Sequence, residues 1–201
     1  MALKDLSAAA DRIAHLALNH FAEHGYDAAS MNDIAVLAGL KKASLYAHFP
    51  SKDALYVTAL EMALEAEITY VRTHFSKAPQ VNSVPGEAYW FELRDRYTQN
   101  DSLRFLLRAA FYPPHALRTT VMSGFDGYLE VLRGCFTEAC VVGQQRLAPE
   151  LDAWLVDAYM AVIDSLTVEL IYGNDEGYRR RLDAFTGLYR WAMNAATAQL
   201  V

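Results

Sequence analysis

Apolar residues recur at steps of three and four along most of the chain, and no stretch alternates apolar with polar as a half-exposed strand would. Ile13, Leu16, Ala17, His20 and Phe21 give one apolar face to a helix over residues 4–24, with Gly25 at its end. Ile34, Leu37 and Ala38 repeat the spacing after Ser30, a good N-cap with Asp33 three residues later. Gly39 stops that helix, and a short one over residues 41–49 ends at Pro50. A long helix over 51–75 turns Leu55, Leu60, Ala63 and Ile68 inward, and the polar stretch 76–86, with Pro79 and Pro85, reads as a loop. Short helices over 87–98 and 101–112 follow, then Pro113-Pro114 and a long helix over 115–143. Gly124, Gly127 and Gly134 each weaken that helix by about 1 kcal/mol relative to alanine and favour a break near 124–127. Pro149 opens a helix running to Tyr172, and a last helix spans 175–199. The pattern predicts an all-α chain: a head over residues 1–50 and a helical body over 51–201, linked by the helix that starts near 51.

Two short helices joined by a glycine turn form the helix-turn-helix pattern. In such a unit the second helix enters the major groove of DNA, and its first residues meet the base edges. Leu45 and Phe49, four apart, share one inward face. Lys41 and Lys42 offer ammonium groups, Ser44 a hydroxyl, and Ala43 is small enough to let the backbone approach a duplex. Tyr46, His48 and Lys52 can each donate to a phosphate oxygen. Ser51 is a second N-cap, placing Lys52 in a helical first turn where free N–H groups also favour phosphate.

The run FAEHGYDAASMNDIAVLAGLKKASLYAHFPSKDAL resembles the DNA-binding domain of the tetracycline-repressor (TetR) family of bacterial transcription regulators. Phe21, Gly25 and Tyr26 carry the family's aromatic–x–x–x–Gly–aromatic stretch. Ser30, Ile34, Ala35, Ala38 and Gly39 carry its capped helix, and Leu45, Tyr46, His48, Phe49 and Lys52 its closing signature. The resemblance covers about the first quarter of the chain. It implies that Lys42, Ala43 and Ser44 face bases, that Tyr46, His48 and Lys52 hold the DNA backbone, and that Ser30 sets its helix end against a phosphate. Lys41 departs from the pattern, where a short capping residue is usual, so the reading helix is expected to lack a side-chain cap.

Charge changes this picture only slightly. The chain carries a formal −6, and residues 1–55 hold five Lys or Arg against six Asp or Glu, leaving −5 on the remainder. A strongly basic domain is the usual footprint of a nucleic-acid binder. Here Lys41, Lys42 and Lys52 cluster toward the groove side, which predicts modest non-specific affinity and a shallow salt dependence. Cys135 and Cys140, five apart, match no metal motif and read as buried thiols of a reducing cytosol. His20 and His24, four apart, could grip a metal but have no third ligand in view, so they read as a helical surface pair. No run is long and apolar enough to span a membrane, Asp5, Asp11 and Arg12 argue against a signal peptide, and the location expected is cytoplasmic. No cofactor or metal is expected. No HExxH, GxSxG or phosphate-binding glycine loop occurs, which weighs against an enzyme.

The helix from Pro149 is apolar on more than one side. Leu151, Trp154, Leu155, Ala158, Val162, Leu166 and Leu170 form a stripe that Val156, Tyr159, Met160, Ile163 and Ile171 widen. Such a helix must bury more than one side: one in its own core, the other against a partner. The last helix adds Leu182, Phe185, Leu188, Tyr189 and Ala192. The TetR resemblance implies a homodimer through these two helices, with Leu155, Tyr159, Val162, Ile163, Leu166, Leu182, Phe185 and Tyr189 at the interface. A buried helix in a monomer is the alternative. All but four of the Phe, Trp and Tyr residues lie beyond Lys52. Trp90, Phe105, Phe111, Met122, Phe125, Tyr128 and Trp154 could line a site for an apolar effector. Arg104 and Arg108 could meet an anionic one, or lie in water, or pair with Asp101 or Glu92. Asp126, Glu130, Asp164 and Glu169 could equally meet a cationic one. The whole reads as a repressor that binds a palindromic double-stranded operator as a dimer and is released by a small molecule. A helical scaffold protein with a degenerate DNA-binding head is the rival.

Overall fold

The computed structural model describes residues 6–77, 85–142 and 149–198. Among them there is no strand; the helices are α1 (Ala8–Ala28), α2 (Met31–Leu37), α3 (Lys42–His48), α4 (Lys52–Phe75), α5 (Glu87–Gln99), α6 (Asp101–Phe111), α7 (Arg118–Val142), α8 (Pro149–Tyr172) and α9 (Asp175–Ala198). A 3₁₀ turn, His115–Leu117, leads into α7. The expected first residues of helix 1, the loop around Pro79 and residue 199 lie outside the described residues.

Local chemistry sets most boundaries. Ser7 caps α1 by accepting the Ala10 N–H at 3.3 Å. Asn100 caps α6 through the Leu103 N–H at 2.9 Å, and the Asn174 side chain accepts from Gly177 N at 2.8 Å to open α9. Each satisfies one of the orphan donors of a first turn. Gly25 does not end α1 outright: its φ is 78°, the helix kinks there, and helical structure resumes to Ala28. The break expected in α7 near 124–127 does not occur. Leu64 of α4 occupies the space where a Gly124 side chain would lie, 2.6 Å from such a Cβ, so the glycine serves close helix packing.

The chain groups into two compact units. The first comprises residues 1–69 and 98–129, the second 70–97 and 130–201. In the first, α1 packs on α2 and α6, and α2 on α3. Ile13, Ala14, Ala17, Phe21, Ile34, Leu45, Leu55, Leu60, Leu103 and Phe105 form its core. Burying each of the large side chains stabilises the unit by about 1.5–3 kcal/mol.

In the second unit α8 packs on α9, and the core is aromatic. Phe136 and Tyr159 stack at 3.7 Å between centroids, and Trp90 lies 5.4 Å from Tyr159 and 5.1 Å from Tyr189. Three buried tyrosines of α8 and α9 donate to backbone carbonyls at and before α5: Tyr159 to Gly86, Tyr189 to Pro85 and Tyr178 to Trp90, each at 3.1 Å. Buried hydroxyls thereby keep the partners they would lose on leaving water. Arg190 pairs with Glu87 at 2.6 Å and Arg94 with Asp175 at the rim of α5. Cys135 and Cys140 form no disulfide and are half-buried rather than buried.

Candidate nucleic-acid interface

The turn between α2 and α3 is fixed at three points. Ser30 Oγ accepts the Asp33 N–H at 3.2 Å and donates to the Asp33 carboxylate at 2.7 Å, closing the start of α2. At the other end Gly39 adopts a φ of 68°. Its N–H reaches Val36 O at 3.0 Å, and the Leu40 N–H reaches Ala35 O at 2.8 Å. These two bonds satisfy carbonyls that a helix end leaves open. Arg12 of α1 donates to Ala38 O at 3.0 Å, tying the turn to the first helix. Nothing in the sequence pattern singles out Arg12, because its partner is a carbonyl.

On α3 the faces divide as the spacing predicts. Leu45 is fully buried and Phe49 nearly so, while Lys41, Lys42, Ala43, Ser44, Tyr46 and His48 are exposed. Ala47 is exposed as well and lies on the side of the helix opposite Leu45. Lys41 makes no side-chain cap at the start of α3. Lys42 Nζ lies 6.0 Å from the centre of the Tyr46 ring, so a cation and a phenol share one flank.

Lys52 has a different setting from the one its place in the signature suggests. It is half-buried, and its ammonium donates to Tyr26 O at 2.8 Å and Ala29 O at 3.0 Å. It also lies 4.0 Å from the centre of the Tyr26 ring, a cation–π distance. Two of its three donors thus face inward. Tyr26 donates to Asp53. Burial first, and then Asp53, pushes the Tyr26 hydroxyl pKa up to about 12. The aromatic cluster continues through Phe21, Tyr56 and Phe105, with Tyr56 centred 5.0 Å from Phe21 and 5.1 Å from Phe105. His20 and His24 of α1 stack at 4.4 Å; burial, then His24, lowers the pKa of His20.

The residues read as an effector site fall into both units. In the first unit Phe105 and Tyr128 are core, and Phe111, Met122 and Phe125 are half-buried. Arg104 pairs with Asp101, and Arg108 reaches Glu23 O at 3.2 Å. In the second unit Trp90 is fully buried, whereas Trp154 is 68% exposed. Glu169 is taken by Arg181 at 2.6 Å. The residues read as a dimer interface are also placed otherwise. Tyr159, Val162, Ile163, Leu166, Leu182 and Tyr189 are buried within the chain's own fold, and Leu155 and Phe185 are half-buried. The large apolar side chains left outward on α8 and α9 include Trp154, Leu188 and Trp191.

A short helix anchored on one buried face and set by a capped helix and a glycine turn forms a helix-turn-helix unit. Residues 13–59 match the model of the family described as bacterial regulatory proteins, tetR family. Over 55 residues it is 40% identical to the biofilm operon icaADBC HTH-type negative transcriptional regulator IcaR of Staphylococcus aureus strain Newman. That match covers 27% of this chain and 30% of the relative. Two solved structures share the whole fold. A tetR-family transcriptional regulator from Streptomyces coelicolor superposes with a TM-score of 0.68 at 16% identity, covering 98% of this chain and 85% of that one. AibR, solved in complex with isovaleryl coenzyme A and operator DNA, gives 0.60 at 15%, covering 90% and 97%. Among the described residues no helix is long and apolar enough to cross a membrane, and no group of three or more His, Cys, Asp or Glu is placed to hold a metal ion.

Proposed function

We propose that the protein is a cytoplasmic, non-enzymatic transcriptional repressor that binds a palindromic operator as a homodimer and is released by a small molecule. The observation that carries this reading is α3 itself. Leu45 and Phe49 anchor it inward, and Lys41, Lys42, Ala43, Ser44, Tyr46 and His48 lie along its open side within the stretch that matches the family. Lys42, Ala43 and Ser44 meet base edges; Tyr46, His48, Ser30 with the free N–H groups of α2, and Lys52 meet phosphates. The match to a negative regulator supports repression.

A dimer places two reading helices one helical turn apart, about 34–36 Å, to meet two half-sites. The second copy covers the outward faces of α8 and α9, where Trp154, Leu188 and Trp191 each expose about two-thirds of their surface. A small-molecule effector shifts the spacing of the heads, and by linkage DNA weakens effector binding by the same factor. AibR, of like fold, was solved with both an acyl coenzyme A and DNA, which supports two ligands of these classes. Phe111, Met122 and Phe125 are half-buried side chains of the first unit suited to an apolar effector. The test is a gel shift with duplex from upstream of the protein's own coding region, repeated with excess unrelated DNA. A retained, competitor-resistant band supports the reading, and binding lost equally to any DNA removes it.

A further inference from the structure

Gly25 kinks α1 near its end, and a residue 83 positions away packs against it. The positive φ of Gly25 breaks the helical ladder, so carbonyls just upstream lose their intrahelical donors. A Cβ on Gly25 would lie 3.0 Å from both Nε and Nη2 of Arg108. The guanidinium of α6 therefore packs tightly against the bare Gly25, and its Nη1 donates to Glu23 O at 3.2 Å. A cation at a helix C-terminus is also favoured by the macrodipole.

One turn earlier on α6, Phe105 is buried against Phe21 of α1 and Tyr56 of α4. Apolar contacts of this kind tolerate small slides, whereas a hydrogen bond to one carbonyl is directional. Lys52 holds two carbonyls further along, Tyr26 and Ala29, and Ser30 opens α2 immediately after. The end of α1, the entry to α2 and hence α3 thus take their bearing from one cation on α4 and one on α6.

We infer that Arg108 is a positioning residue for operator binding: its hydrogen bond to the Glu23 carbonyl across Gly25 sets the reading head in register with α6. This rests on the reading of the protein as an operator-binding regulator. Arg108 acts through the α1 end and touches no phosphate. Its loss leaves α1, α2 and α3 folded but lets the head adopt more orientations, which DNA must then select.

The test uses full-length protein and a duplex that the wild type selects from a random library. Arg108→Ala, Arg108→Gln and Arg108→Lys are compared at a temperature where circular dichroism finds each folded. Arg108→Ala and Arg108→Gln are expected to weaken operator binding about tenfold, the scale of one charged hydrogen bond, with Arg108→Lys recovering part of the loss. The slope of log K against log salt stays that of the wild type, and amide exchange quickens over residues 25–30. Should Arg108→Ala not fold, Arg108→Gln decides. Wild-type affinity in the folded variants overturns the inference, as does a salt slope reduced by about one, which would mark a direct phosphate contact. A wild type that selects no duplex overturns the operator-binding reading instead, before any variant is compared.

Discussion

The ammonium of Lys52 donates to the Tyr26 carbonyl at 2.8 Å while lying over the ring of the same tyrosine. A residue at the start of α4 thereby closes the end of α1, 26 positions earlier. The signature position that suggests a phosphate contact is first of all a cap on the head's longest helix.

Lys52→Met keeps most of the apolar stem and removes the donors. It is expected to lower stability by about 1–2 kcal/mol, the range for charged hydrogen bonds discounted for partial exposure. Urea unfolding of wild type and variant measures this. Unchanged stability with a flattened salt dependence of DNA binding would return Lys52 to a purely phosphate-binding role.

Lys42 and Tyr46 lie on one flank of α3 but are assigned different work. Lys42→Ala is expected to change which duplexes are selected from a random library, because base contacts carry sequence information. Tyr46→Phe is expected to weaken all duplexes alike, by about 1 kcal/mol for one lost hydrogen bond. Identical selection profiles for both variants would refute the division.

The faces of α8 and α9 separate association from folding. Trp191→Glu places a charge on the outward face of α9, where the wild-type ring is 70% exposed, and is expected to yield folded monomer in sedimentation experiments. Tyr159→Ala instead empties the fully buried site beside Phe136 and Trp90, at a cost of about 3–5 kcal/mol by analogy with other large aromatic truncations. Thermal denaturation distinguishes the two. A dimeric Trp191→Glu protein would exclude this face as the interface.

Acid is expected to weaken the fold. Burial lowers the pKa of His74 despite the nearby Glu92 carboxylate at 3.4 Å, and burial also lowers that of His20. A histidine whose folded pKa lies below its unfolded value, about 6.5, is protonated first in the unfolded chain. Stability is thus fully present above that pH and declines as pH falls through it. Urea unfolding at pH 7.5 and 5.5 gives the difference, and His74→Gln should shrink it. A stability that rises on acidification would contradict the sign.

Most helices, the Ser30 cap and the division of α3 into an inward and an open side were legible in the sequence, because each depends on residues within one or two turns. Ser30 with Asp33, Gly39, and Leu45 with Phe49 act on their own neighbours, and spacing alone places them. Tertiary structure decided what spacing leaves open. A helix apolar on two sides, such as α8, does not say which side its own fold takes, and here Tyr159, Val162 and Leu166 went inward while Trp154 stayed out. Nor does a sequence say where a long cation ends. Arg12, Lys52 and Arg108 all find backbone carbonyls, partners that every residue offers alike and that only the folded path of the chain brings within reach.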